Sequence, residues 1–272
     1  MMTIQVFSTN GSKQEEIELP LVFSTPLRTD LLHRAYINLE SHKFQIQGRY
    51  PLAGMNVVAE SNSPPTGHHQ ARVARMHGGG GGRQGQGGGV AMVRGGRQAH
   101  PPTTEKVTYK MLNKKENKLA LCSAIAATAS KSLVKLRGHK IDKLESFPIV
   151  VSDEIESMSK SKELAKFFEA LNLTQDVDRL KNRLKRRSGK PQLRGRKSKI
   201  GKSILIVVKD SKNLSKAAGT FLGVDVKAVN SLSVLDLVPG AQPIRLTVFS
   251  KGAIGELAKI KSPHLELMVI KR

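Results

Sequence analysis

Five arginines set among glycines are the first place where this sequence could do chemistry. From Gly67 to Pro102 the chain reads GHHQARVARMHGGGGGRQGQGGGVAMVRGGRQAHPP, which holds Arg72, Arg75, Arg83, Arg94 and Arg97 without an Asp, Glu or Lys. A guanidinium fork pairs with two phosphate oxygens at once, and glycine lets the backbone approach such a group closely. The chemistry indicated is polyanion binding. So few bulky apolar side chains cannot offset roughly 1 to 2 kcal/mol of ordering entropy per residue, so the segment is expected to be ordered by what it binds. A second cationic run, Arg179 to Lys202, reads RLKNRLKRRSGKPQLRGRKSKIGK, with twelve Arg or Lys and no acid. Solvated helix faces usually mix both signs of charge, and this run does not. Arg183, Lys185, Arg186, Arg187, Lys190, Arg194, Arg196, Lys197 and Lys199 are its candidate phosphate contacts, on helix, extended arm or both in succession.

Motifs that would indicate an enzyme fail on spacing or context. Gly195 to Ser203, GRKSKIGKS, resembles a phosphate-binding loop, but five residues separate its glycines instead of four, and an apolar strand pattern follows where a helix should. Gly80, Gly82 and Gly85 satisfy G-x-G-x-x-G only because five glycines run together there. His68, His69, His77 and His100 lie on or beside the loop with neither thiols nor carboxylates near them in sequence, so no metal site is expected. Cys122 falls on an apolar helical stripe and reads as a small core residue. Neither catalysis nor a cofactor nor a small-molecule substrate has support.

The totals agree with a polyanionic partner. Among 272 residues, Lys+Arg is 45 against 22 for Asp+Glu, a formal net charge of +23. Charge of that size repels itself in a compact chain and draws in nucleic acid. A single cysteine excludes an internal disulfide and fits a reducing, intracellular setting. The sequence has neither a secretory pattern at its start nor a run near the ~20 apolar residues of a membrane span. Aromatic residues are 4%, too few for a ladder of base-stacking platforms, so phosphate and shape should dominate recognition.

The remaining sequence supplies a body to hold these segments. Thr3–Phe7 alternates like a strand, Asn10-Gly11 offers a turn, and residues 16–19 return as a small hairpin. Thr25-Pro26 reads as the start of a first helix running to about His42. Leu119, Cys122, Ala126, Ala129, Leu133 and Leu136 step by three and four and predict one long helix closed by Gly138. From Phe147 onward, apolar β-runs at 147–151, 204–208, 224–229 and 244–249 alternate with helical stretches, and 265–270 could add an edge strand. Such alternation implies a mostly parallel sheet covered on both faces.

Six stretches carry a resemblance across almost the whole chain: ELPLVFSTPLRTDLL from Glu18, ARVARMHGGGGGRQGQG from Ala71, GGRQAHPP from Gly95, LCSAIAATA from Leu121, RGHKI from Arg137 and LDLVPGA from Leu235. In order and spacing they resemble the large-subunit ribosomal protein number four family in its archaeal and eukaryotic form. The resemblance implies a single three-layer α/β/α domain over 1–272 with a mostly parallel four-stranded sheet. It also implies an inserted loop, 48–107, reaching through ribosomal RNA to the nascent-peptide exit tunnel, and a basic RNA-binding segment at 185–202. By the same resemblance His68, Arg72, Arg75, Met76 and His77 lie at the loop tip, and Arg83, Arg94 and Arg97 contact surrounding RNA. The sequence departs from the family in having Thr66-Gly67-His68-His69 where Gly-x-Gly-Arg is common, and in a long pentaglycine, Gly78 to Gly82. The implied partners are large-subunit ribosomal RNA and neighbouring ribosomal proteins, with no membrane, in the cytoplasm on the ribosome. The competing reading is a Gly/Arg-rich RNA chaperone or regulatory RNA-binding protein.

Overall fold

The structure is a computed structural model that describes residues 3–57, 59–77, 82–144, 146–242, 244–260, 262 and 265–266. Most of the pentaglycine, Gly80 of the G-x-G-x-x-G match, and residues 267–270 of the expected edge strand lie outside the described residues; Leu265 and Glu266 are helical.

In chain order the strands and helices are β1 (Thr3–Phe7), β2 (Lys13–Glu18), α1 (Thr29–Ser41), β3 (Ala59–Glu60), β4 (Arg75–Met76), α2 (Lys114–Ala127), α3 (Lys131–Leu136) and β5 (Ile149–Val151). There follow α4 (Ser161–Ala170), α5 (Thr174–Asn182), β6 (Lys185–Arg186), α6 (Lys190–Leu193), β7 (Ser198–Lys199), β8 (Leu205–Val208), α7 (Lys212–Ala218), β9 (Asp225–Ala228), α8 (Val234–Leu237), β10 (Thr247–Ser250) and α9 (Lys251–Leu257). The chain divides into a body, residues 1–41 with 111–272, and a second unit, His42–Lys110.

The body is built on one sheet of strand order β2-β1-β5-β10-β8-β9. Only the β1–β2 pair is antiparallel. The sequence leads to an expectation of four strands; the sheet has six, because the N-terminal hairpin does not stand apart. Val6 pairs in parallel with Val150 and extends the sheet by two strands. Every residue of β5, β8 and β10 is buried. Successive side chains of a strand point to opposite faces, so burial of them all means that both faces are covered. Edge strand β2, KQEEIE, is mostly exposed and charged, which discourages pairing with a further chain.

Two helices differ from the sequence expectation. The first begins at Thr29 rather than at Thr25-Pro26, because the buried Ser123 hydroxyl ties down the preceding segment. It accepts the Arg28 N–H at 2.9 Å and donates to the Pro26 carbonyl at 3.0 Å. The long helix expected over 119–136 is two, α2 and α3. Both the amide and the hydroxyl of Thr128 bond to the Ile125 carbonyl, at 3.0 and 2.6 Å, which tightens the last turn and interrupts the i−4 ladder. Cys122 is wholly buried in the core, as its position on the stripe implies, and burial pushes its thiol pKa up.

Candidate nucleic-acid interface

The acid-free run resolves into a small hairpin rising from the body. After α5 ends, β6 and β7 pair antiparallel, Lys185 opposite Lys199 and Arg186 opposite Ser198. The Arg187 amide bonds to the Lys197 carbonyl at 2.9 Å, and α6 fills the turn, with Pro191 at its start. Among the described residues the side chains of Arg183, Lys185, Arg186, Arg187, Lys190, Arg194, Arg196, Lys197 and Lys199 make neither hydrogen bond nor ion pair, and all except Arg187 are exposed. Lys181 near the start of the run pairs with Asp178, and elsewhere on the body lysines find acids, as in Lys251–Glu15 and Lys259–Glu256. Like charges directly opposite on a two-stranded ladder oppose its formation, so the Lys185–Lys199 pair holds this hairpin at a cost that an external anion would relieve. Arg179 and Lys202, the two ends of the run, point instead into the body.

Those ends are held by a buried polar network at the amino ends of β8, β9 and β10. Asp176 is fully buried and accepts from the Ser203 hydroxyl at 2.5 Å, Arg179 Nε at 2.9 Å, His139 Nδ1 at 3.0 Å and the Lys140 amide at 3.1 Å. His139 Nε2 accepts the Leu246 N–H at 3.3 Å, which fixes the neutral tautomer with its proton on Nδ1. Arg179, in α5, also donates to the Lys202 carbonyl, so the segments entering and leaving the hairpin are tied together. Alongside, the buried Arg245 guanidinium reaches Ser203 O at 2.5 Å, Ile204 O at 2.9 Å, Gly223 O at 2.7 Å and Asp225 Oδ2 at 2.6 Å. Sequence reasoning missed all four of Asp176, His139, Ser203 and Arg245. The trio of Ser203, His139 and Asp176 is not a catalytic triad: the serine donates to the carboxylate rather than to imidazole, and none of the three reaches solvent.

This network makes the body sensitive to acid. Burial pushes His139 below the ordinary histidine range, outweighing the favourable Asp176 carboxylate. Burial alone would raise Asp176, but the His139, Arg179 and Ser203 hydrogen bonds outweigh it and hold that carboxyl well below its usual range. Both folded-state values lie below the unfolded ones, so the unfolded chain binds more protons and stability falls as pH falls. The His139 contribution is complete above about pH 6.5 and is lost at up to about 1.4 kcal/mol per pH unit below it. Asp176 adds its own loss below about pH 4. Urea titrations between pH 7.5 and 5 should therefore show declining stability, and His139→Gln, which keeps a donor and an acceptor but no proton to gain, should flatten that decline.

The carboxyl ends of the strands, where open α/β sheets usually bind ligands, are filled from within. Glu156 accepts the Lys209 amide at 2.8 Å, the Asp210 amide at 3.3 Å and the Ser250 hydroxyl at 2.7 Å, and Asp153 accepts the Gly252 amide at 2.6 Å. These donors, which could face a phosphate, already hold carboxylates. The P-loop resemblance fails as well: Ser203 leads into β8 rather than a helix, Lys202 Nζ pairs with Asp225 at 2.8 Å, and Ser203 is bound to Asp176.

The second unit contains the glycine-rich stretch, and it is more folded than its composition suggests. Its two ends meet: His42 Nε2 lies 3.0 Å from the Lys110 carbonyl, and the His42 ring stacks on Tyr109 at 3.9 Å. Farther along, β3 pairs with β4, and residues 85–88 return beside β4 through the bonds Met76 N to Gln86 O, Gly85 N to Met76 O and Gly88 N to Ala74 O. Glycine does the packing that side chains do elsewhere. Gly54 has φ +79°, and a Cβ on it would sit 2.6 Å from the Gly96 carbonyl; a Cβ on Gly96 would overlap the Val90 carbonyl. Of the predicted contacts, Arg72 donates to Thr66 Oγ1 at 2.6 Å and Arg75 to the Gly85 carbonyl at 3.1 Å. These two arginines brace the loop's own turns. Arg83, Arg94 and Arg97 are exposed and their guanidinium groups make no hydrogen bond among the described residues. His68 is exposed, Met76 is half-buried, and His77 lies 3.9 Å from Glu60, a carboxylate that sequence proximity did not reveal. Among the described residues no three metal-ligating side chains come together, and no helix is long and apolar enough to cross a membrane.

The strand carboxyl ends of the α/β body are filled from within, and the cations of the hairpin and Arg83, Arg94 and Arg97 of the arginine- and glycine-rich unit, which have no partner among the described residues, are surfaces of the kind that suit a polyanion. The chain belongs to the ribosomal protein L4/L1 family, whose model it matches over residues 17–260. Similar curated proteins include the large ribosomal subunit protein uL4 of Methanococcus vannielii, 41% identical over 94% of this chain and 98% of that one. The large ribosomal subunit protein uL4 of Pyrobaculum aerophilum is 44% identical over 93% of this chain and 88% of its own length.

Proposed function

We propose that this chain is a structural, non-catalytic component of the large ribosomal subunit, bound to ribosomal RNA in the cytoplasm beside neighbouring ribosomal proteins, and that it supports subunit assembly. The observation that carries the reading is the basic hairpin and its flank, nine cations without a partner among the described residues, around a ladder that sets Lys185 against Lys199. Family membership supplies the identity of the polyanion. In this reading a three-layer α/β/α body anchors the 185–202 segment against RNA phosphates, while residues 48–107 are the extended loop that threads RNA toward the peptide exit tunnel. Arg83, Arg94 and Arg97 neutralise phosphate along the way. Arg72, Arg75, Met76, His77 and His68 form the tip, with Arg72 and Arg75 shaping its turns and offering their remaining donors outward. Lys and Arg contacts release counterions, and each makes binding steeper in salt by roughly 0.7 to 0.9 in log–log slope.

The test is crosslinking of the ribosome-bound protein, mapped by residue, with sedimentation in high salt. We expect the chain to stay with the large subunit, and crosslinks from 72–97 and 183–199 to fall on a few large-subunit RNA sites. Crosslinks scattered over unrelated RNAs, with protein released at high salt, would overturn the reading in favour of a mobile RNA chaperone.

A further inference from the structure

We propose that the stacked pair of His42 and Tyr109, where the two ends of the glycine-rich unit meet, is a platform on which one unpaired base of large-subunit RNA stacks. The assignment rests on the reading of the chain as RNA-bound, and it adds a contact to a base where the other contacts are to phosphate.

The aromatic residues of this chain stand in two environments. Of the eight Phe and three Tyr, those of the body are buried or half-buried, whereas Phe44, Tyr50 and Tyr109 are 61%, 59% and 54% exposed, and all three belong to residues 42–110. An exposed ring forfeits the burial that makes aromatic side chains valuable in a core. Tyr109 is also held in place while it stands in solvent. Its ring lies on that of His42, with 3.9 Å between centres and 7° between planes. His42 is fixed in turn: the Lys110 carbonyl 3.0 Å away can only accept, so Nε2 carries a proton and donates it. The Tyr109 hydroxyl makes no hydrogen bond among the described residues. What is oriented is therefore the flat ring and not its polar tip. Every base has a π-face that can continue such a stack, and an unpaired one has that face free. A single platform also suits a composition too poor in aromatic residues for a ladder of them.

The partner is RNA because of the charge around the rings. Residues 42–110 hold nine Lys or Arg against Glu60 and Glu105 alone. Lys43, next in the chain to His42, is exposed, and its side chain makes neither hydrogen bond nor ion pair among the described residues. An apolar protein surface would cover the rings and leave these cations uncompensated. An acidic peptide segment would do the reverse. An unpaired nucleotide brings a π-face and a phosphate together.

The experiment uses the full chain, a transcript of large-subunit ribosomal RNA, and the variants Tyr109→Phe and Tyr109→Leu. Tyr109→Phe keeps the ring and should bind within twofold of the unmodified chain. Tyr109→Leu keeps apolar bulk without a π-face and should bind roughly 5- to 100-fold more weakly, the loss of one base–aromatic stack. The log–log salt slope should not change, because stacking releases no counterions. Leucine binding as well as tyrosine, or phenylalanine failing as badly as leucine, would overturn the platform, and so would a loss that appears only as a lower slope. Ultraviolet crosslinking of intact large subunits gives a readout that needs no variant: we expect a nucleotide adduct on Tyr109 or His42. Should Tyr109→Leu lower the melting temperature of the free protein, this adduct decides. Adducts elsewhere on the chain with none on either ring, or an adduct of the rings to a protein neighbour only, would overturn the site. An abasic lesion at the crosslinked nucleotide should reproduce the Tyr109→Leu loss, and the two together should cost little more than either; additive losses would show that ring and base do not meet. If the unmodified chain prefers large-subunit RNA no more than unrelated RNA, the functional reading itself fails, a result distinct from specific binding that ignores Tyr109.

Discussion

Replacing Lys185, Arg186, Arg187, Lys190, Arg194, Arg196, Lys197 and Lys199 with glutamine will flatten the salt dependence of binding to large-subunit RNA while leaving the body folded. If half to all of these cations touch phosphate, the log–log slope falls by roughly 3 to 7, and affinity near physiological salt falls by roughly 10²-fold or more, since each lost contact removes its share of counterion release. The body should not notice. None of these side chains has an internal partner among the described residues, and only Arg187 is even half-buried. Removing Lys185 and Lys199 also removes a repulsive cross-strand pair, so the melting temperature of the free variant should hold or rise. Filter binding across a salt series and a thermal melt of the same preparation check both halves. A slope that changes by less than one would mean that the hairpin is a solvated surface, and the argument from unpaired charge would fall with it.

The cationic segments were legible in the sequence because their signal is local. An acid-free run is visible without knowing what packs against it, and all the hairpin cations but Arg187 are exposed. The inner strands were legible for a related reason, since a strand buried on both faces reads as continuous apolar sequence, as in LIVV of β8. What stayed hidden depended on contacts distant in the chain. TIQVF announces a strand but not its neighbour, so the parallel pairing of Val6 with Val150 that turns four strands into six could not be read. Thr25-Pro26 has good helix-start chemistry, yet Ser123, 97 residues from Pro26, decides that the segment stays extended. The anchoring network was equally invisible, for His139 and Leu246 meet across 107 residues. One signal was available: Arg245 interrupts the apolar run from Ile244 to Phe249, and a charge within a buried strand pattern implies a buried partner. The glycine-rich unit was judged by composition alone, which misses that glycine can itself be packing material where backbones cross, as at Gly54 against Gly96.

Arg245 is also where a single substitution should do most damage. Its guanidinium is fully buried and serves three carbonyls, Ser203, Ile204 and Gly223, besides the Asp225 carboxylate. These acceptors sit at the amino ends of β8 and β9, where the hairpin joins the sheet. Arg245→Ala deprives all four of a donor, leaves a cavity the size of an arginine, and breaks a buried ion pair; removing one partner of such a pair costs about 3 to 5 kcal/mol. For a body of this size that corresponds to a fall in melting temperature of roughly 10 °C. Arg245→Lys should recover little, because an ammonium on a flexible stem cannot span carbonyls that a planar fork meets together. The Asp225→Asn change alone should cost less, since Arg245 keeps its three carbonyls, and the double variant should show strong coupling between the sites, as groups in one hydrogen-bonded network do. The effect should also travel outward. With Ser203 and Ile204 released, the root of the hairpin loosens while its cations remain, so RNA binding should weaken through lost positioning with the salt slope nearly intact. That is the reverse of the signature expected when the hairpin charges are removed. If Arg245→Ala instead melts like the unmodified chain, the guanidinium is not what binds these strands together, and the anchoring role assigned to the network would be wrong.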